Sequence, residues 1–163
     1  MGGLIMSATI NWKKIKNYIV AVLVPVVLGA IVGFVTSMFM DYDMLEKPVL
    51  SPPGAVFPIV CSILYILMGV SYGMLKNQNK LDFDVMAVYY GQLIVNLFWP
   101  LFFFVLKWRL FSFIWIVVLA ILVITMAVRF YRKDNTAGLL QVPYAAWVVF
   151  ASYLNLFVYI LNR

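Results

Sequence analysis

The side chains of this chain that could bind or react are few, mostly uncharged and helically spaced. Gln92, Asn96, Trp99 and Phe103 follow at steps of four, three and four, so a helix carries them on one face. Tyr144, Trp147, Ala151 and Asn155 repeat the pattern, and Cys61, Tyr65, Met68 and Tyr72 make a third stripe. Three such faces turned inward would wall a pocket with aromatic rings and a few amides. That pocket would suit a large, planar, mostly apolar ligand. The stripes have a second reading: amides within an apolar bundle often only bridge neighbouring helices, and aromatic rings often only pack.

Absent residues narrow the chemistry. The sequence has no histidine, which removes the usual general base and the commonest metal ligand. Cys61 is the sole cysteine, so an intrachain disulfide is impossible and a zinc cluster is excluded. No Asp, Glu, Lys or Arg lies in the middle of an apolar run. A charge there costs about 2.5–3.5 kcal/mol on insertion scales and is kept for function. Ion-coupled pumping is therefore disfavoured, although a facilitated carrier is not. No catalytic residue and no metal-ligand set is expected.

The elements that must position these stripes are legible in the composition. Of 163 residues, 66% are hydrophobic and only 11% charged, where a soluble domain has about a quarter charged. The expectation is an all-α integral membrane protein, a single transmembrane domain over 1–163. Charged residues separate five apolar runs, each long enough for the roughly 20 residues of a spanning helix. The expected helices are 17–40, 52–76, 84–106, 110–132 and 135–161, a five-transmembrane-helix bundle. The runs do not alternate as barrel strands would. Pro25 is expected to break or bend the first helix, and Pro52–Pro53 to open the second. Gly29 with Gly33, Gly69 with Gly73, and Ala87 with Gly91 form small-xxx-small pairs that permit close helix approach.

The net charge of +6 raises nucleic acid as a partner, but the basic residues cluster between apolar runs, where membrane orientation explains them better. Eight Lys and Arg fall on the N-terminal side and four on the other, which favours a cytoplasmic N-terminus. Between the first two runs, residues 41–54 read DYDMLEKPVLSPPG and hold three of the six acidic residues and three prolines. Stiffened by Pro48, Pro52 and Pro53, this segment is expected to lie over the bundle as an ordered cap, with 41–52 as a lid. The alternative is a plain surface loop.

The ordered motifs resemble the translocator protein family, also called tryptophan-rich sensory proteins or peripheral-type benzodiazepine receptors. They are Tyr42 with LEKP and SPPG, then FPIVCSILYILMG from Phe57, GQLIVNLFWPLFFF from Gly91, PYAAW from Pro143 and SYLN from Ser152. The resemblance implies a five-helix bundle, often a homodimer, binding porphyrins such as protoporphyrin IX and haem, and related hydrophobic ligands, beneath the first loop. It needs no cofactor; porphyrin is the ligand. By motif position it implies Tyr42 and Pro52 as closing residues and Asn96, Trp99 and Trp147 as wall. It also implies Ala151 as a small residue that affects ligand fit, and Ala87 with Gly91 as a dimer contact, unless that pair only packs within the chain. Some bacterial relatives degrade porphyrin in light, a reaction attributed to tryptophans at two positions that here carry Cys61 and Leu156. The family's tryptophan before the loop tyrosine is replaced by Asp41. The expectation is therefore a receptor or carrier in a bacterial cell membrane, leaning away from an enzyme. A porphyrin photo-degrading enzyme and a ligand-independent interaction or stress-signalling subunit remain alternatives.

Overall fold

The computed structural model describes residues 11–163, so the first ten residues of the expected domain lie outside it. Helices α1 (Trp12–Ser37), α2 (Val56–Asn77), α3 (Phe83–Pro100), α4 (Arg109–Lys133), a short α5 (Asn135–Leu139) and α6 (Val142–Leu161) follow in order. No strand occurs among the described residues. Counting α3 with the π-helical turn Leu101–Val105, and α5 with α6, five helical stretches are long and apolar enough to cross a membrane. The tightest backbone packing joins α1 to α2, and α4 to both α3 and α6.

The surface is inside-out relative to a water-soluble protein. Ile31, Phe34, Ile94, Ile121 and Val149 project outward from mid-helix, as lipid contact requires. Hydroxyls on these helices turn back on their own backbone: Ser62 donates to the Pro58 carbonyl, Thr125 to Ile121 and Ser152 to Val148. At the end holding the start of α1, ion pairs Lys133–Asp82, Arg129–Asp84 and Lys80–Asp134 tie the connections together. Asn17 also donates to Asn77. The first loop, the α3–α4 turn and the C-terminus share the opposite end, since Asp41 meets Arg109 and Glu46 meets Asn162. That is the arrangement five spans produce.

Four expectations are corrected. α1 starts at Trp12, under an Asn11 cap, and ends at Ser37, because helical hydrogen bonding does not stop where the hydrocarbon does. The break expected as one outcome at Pro25, which is fully buried, does not occur, since α1 is continuous through it. Proline leaves the Ala21 carbonyl without its usual partner, and Gly69 of α2 packs against that carbonyl. α2 opens at Val56 rather than at Pro52: Pro52 and Pro53 disfavour helical geometry in the residue before each, 51–53 stay non-helical, and a turn at Gly54–Ala55 leads into the helix. The fifth span is split at Leu140–Gln141, because Pro143 cannot donate to the Leu139 carbonyl.

The small pairs divide unevenly. Gly69 and Gly73 both meet α1, at Ala21–Val22 and at Tyr18. Gly29 faces the Tyr65 ring, whereas a side chain at Gly33 would meet nothing within 4 Å. A Cβ at Gly69 would lie 2.5 Å from Val22 Cα and 2.6 Å from the Ala21 oxygen. Both are backbone atoms that cannot swing away. Gly69→Ala is therefore expected to destabilise the bundle by about 1–3 kcal/mol through overpacking. Gly33→Ala should be neutral or stabilise by roughly 0.5–1 kcal/mol. Unfolding midpoints of the two variants in one detergent check the contrast.

Candidate functional site

The site begins with the loop. Tyr42, in a single turn Tyr42–Met44, is 5% exposed. Its hydroxyl meets Ser51 Oγ at 2.5 Å and donates to the Pro52 carbonyl at 3.2 Å. Its ring meets Phe57 edge-on at 5.2 Å. Pro48 is buried as well, so the segment folds back on itself and seats an aromatic ring in the bundle. Asn162, which caps the C-terminus of α6, pins it further, accepting from Glu46 N and donating to Glu46 O. Tyr42 and Pro48 are thereby seated against the bundle, while Met44, Val49 and Leu50 of the same segment stay exposed.

Beneath Tyr42 lies an enclosed cavity lined by Tyr42, Phe57, Trp99, Phe103, Phe104, Ala151, Leu154, Asn155 and Val158. Trp99 stacks on Phe103 at 5.3 Å and meets Phe104 edge-on at 6.0 Å. These rings nearly fill the space, which is about 20 Å³, room for roughly one water molecule. Pockets that hold drug-sized ligands measure roughly 300–1,000 Å³. The expected chamber is thus present as a convergence of faces but packed shut by its own walls. Two buried polar atoms of lining residues lack a hydrogen-bond partner, Trp99 Nε1 and Asn155 Oδ1, a donor and an acceptor available to an occupant.

Deeper in the bundle the stripes serve as a strut. Asn96 Nδ2 donates to the Tyr144 hydroxyl at 2.6 Å, which donates to Gln92 Oε1 at 2.7 Å. Gln92 Nε2 then donates to Met68 Sδ at 2.8 Å. This relay joins α3, α6 and α2. Nearer the α5–α6 junction, Gln141 donates to Ser71 of α2.

At the rim, Asp41 is held by Lys107 at 2.9 Å and Arg109 at 3.4 Å. Arg109 Nη1 also donates to the Phe103 carbonyl at 3.0 Å, and its guanidinium lies 4.6 Å from the centre of the Phe103 ring. Burial pushes the Asp41 carboxyl up, but the hydrogen bonds and charges of Lys107 and Arg109 outweigh it and hold the carboxyl below its ordinary value.

Of the residues expected to line the pocket, Tyr42, Trp99, Phe103, Ala151 and Asn155 do so. Pro52 instead anchors the Tyr42 hydroxyl. Gln92 and Asn96 share the face of Phe103 but sit about 16 and 10 Å further down α3 at 1.5 Å per residue, where they bridge helices. Tyr65 lies against Gly29 of α1; eight residues past Phe57, the helix has rotated about 80° off the cavity face. Trp147 stands behind Phe57, with ring centres 5.8 Å apart, and Cys61 is beside it. Ala87 is exposed and a side chain at Gly91 would meet nothing within 4 Å, so this pair packs against no other element among the described residues. The stripes also carried overlooked lining residues: Phe57 precedes Cys61 by four, while Leu154 and Val158 continue from Ala151 by three and seven. Phe104 had no such signal. It joins Phe103 because the turn after Pro100 is π-helical, with Leu106 N bonded to the Leu101 carbonyl at 2.9 Å. Asp41 and Arg109 were visible only as loop charges.

Comparison with known proteins agrees with this architecture. The model of the TspO/MBR family matches residues 21–161. The chain is 37% identical over 143 residues to the tryptophan-rich protein TspO of Chlorobaculum tepidum, covering 80% of this chain and 89% of that one. It is 34% identical over 152 residues to the protein of the same description from Archaeoglobus fulgidus, covering 91% and 99%. The translocator protein of Sus scrofa is 30% identical over 118 residues, 70% of each chain.

The relay makes Tyr144 the most exacting polar position in the interior. Tyr144→Phe strands Gln92 Oε1 and Asn96 Nδ2 without partners. It should cost about 1–3 kcal/mol of stability, read as a lowered unfolding midpoint. Ser152→Ala, which removes only a back-bonded hydroxyl, should change the midpoint far less.

Proposed function

The chain belongs to the TspO/MBR family, and on that premise we propose that it is a membrane receptor or carrier for porphyrins and similar planar, hydrophobic molecules, bound between α2, α3 and α6 beneath the first loop. The observation that carries this reading is the aromatic cavity closed by Tyr42 from outside the bundle. A residue from a proline-stiffened loop closes a ring-lined space, and Ala151 supplies the only small side chain among its walls. Such a wall can take a flat ligand if the loop lifts and the rings of Phe57, Trp99 and Phe103 turn aside. The unpaired Trp99 donor and Asn155 acceptor would then orient it. No cofactor is part of this reading.

We further propose that the chain sits in a cell membrane with its N-terminus cytoplasmic, a reading supported by the distribution of its basic residues. Eight of the twelve Lys and Arg stand on that side. A second copy would seat on the outward Ala87–Gly91 face of α3, whose lack of side-chain bulk permits close helix contact.

Protoporphyrin IX titrated into the purified protein should quench tryptophan fluorescence saturably. Ala151→Leu, which fills the cavity, should weaken binding about tenfold or more, while Gly33→Ala should bind as wild type does. Linear, unsaturable quenching in the wild type would rule the reading out. Gly91→Leu, by blocking the proposed helix contact, should shift the detergent-solubilised protein from dimer to monomer in analytical ultracentrifugation without unfolding it. A wild type that sediments as a monomer would remove the dimer.

A further inference from the structure

We propose that Lys107 and Arg109 form a carboxylate-binding end to the pocket, and that Asp41 occupies it as an internal stand-in for an acid group on the ligand. The proposal rests on the porphyrin reading and narrows it: the preferred ligand is a flat, largely apolar ring system with a carboxylate at its edge.

The geometry at the rim is specific. Arg109 is only 12% exposed, and it touches the cavity wall from behind through both the ring and the carbonyl of Phe103. Lys107 reaches the same carboxylate from the adjoining turn, where its backbone is left-handed at φ 56°. Two cations thus converge on one Asp41 carboxylate, itself one residue before the Tyr42 ring that closes the cavity. The other charges of the loop are engaged elsewhere or face outward. Lys47 pairs with the exposed Asp43 and lies 4.5 Å from the Tyr42 ring centre, and Glu46 is exposed.

A largely buried guanidinium next to an apolar cavity is costly to leave without a counter-charge. Lifting the loop to admit a ligand withdraws Tyr42 and Asp41 together, because they are adjacent, and would strand Arg109. A ligand that brings its own carboxylate to Arg109 and Lys107 replaces the charge that leaves, through charge-assisted and potentially bidentate hydrogen bonds. A neutral ring of the same size does not. Asp41 therefore competes with acidic ligands for one site and acts as a latch against neutral and acidic ligands alike.

The test compares protoporphyrin IX with its uncharged dimethyl ester, each titrated into the full chain in phosphatidylcholine nanodiscs, with empty discs subtracted. The readout is the ratio of the two affinities, which cancels any general effect on loop opening. Wild type should favour the acid by about tenfold or more. Arg109→Gln should bring the ratio close to one, Lys107→Gln should lower it severalfold, and Asp41→Asn should preserve or raise it while tightening the acid. Because Lys107 is exposed and holds no wall residue, its variant decides the matter if Arg109→Gln does not fold. A wild-type ratio near one, or a ratio that neither cation variant changes, overturns the carboxylate site while leaving porphyrin binding intact. If wild type binds neither compound, the porphyrin reading itself fails, and the narrower proposal fails with it.

Discussion

Hydrocarbon offers no hydrogen bonds, and that constraint governs most of this molecule. Every polar group within the spans must find a partner inside the chain or lose several kcal/mol. The backbone meets the demand by staying helical from one interface to the other. The hydroxyls meet it by returning to the carbonyl one turn earlier. Two of the amides meet it together with a tyrosine: Tyr144 accepts from Asn96 and donates to Gln92, which donates to Met68, whereas Asn155 Oδ1 and Gln141 Oε1 stay unpaired. Because the relay spans α3, α6 and α2, it sets the rotation of each of these helices about its axis. The aromatic positions above it, Trp99 and Phe103 on the α3 side, then face the other helices as a consequence.

The prolines obey the same constraint. Each removes a donor, and each stands where the orphaned acceptor is tolerated or taken up. Pro25 frees the Ala21 carbonyl where α2 has a glycine, so α1 continues and the two helices approach at backbone distance. Pro58 lies in the first turn of α2 and Pro143 in that of α6, where amide hydrogens have no helical partner in any case. After Pro100 the hydrogen-bond register lengthens to a π-turn, and this brings Phe103 and Phe104 to the same cavity. Aromatic density at the site therefore depends on a local irregularity of the helix.

The cavity joins two kinds of interaction with different responses to opening. Ring–ring contacts among Tyr42, Phe57, Trp99 and Phe103 are non-directional enough to be exchanged for contacts with a flat ligand at little net cost. The Asp41 pairs with Lys107 and Arg109 are not, because a largely buried guanidinium demands a specific replacement. Permissive walls and a demanding rim in one site would separate what fits from what is preferred. The aspartate at position 41 stands where the family resemblance leads one to expect tryptophan, so the ionic rim distinguishes this chain's pocket from an all-aromatic one.

Fold class, the count of five spans and part of the inward faces (Trp99, Phe103, Ala151 and Asn155) were legible in the residues alone. Composition and 3.6-residue periodicity report directly on solvent and on helical face. Periodicity does not report depth: Gln92 and Asn96 share a face with Trp99 and Phe103, yet both lie below the cavity and bridge helices instead of lining it. Nor does it register a change of helical pitch, which is why Phe104 escaped notice. Only the tertiary structure decided that the three faces close on each other until about 20 Å³ remains, because ring orientations are settled by contacts between helices distant in sequence. It alone paired Asp41 with residues 66 and 68 positions away, bringing together three charges that in the sequence are unrelated loop residues.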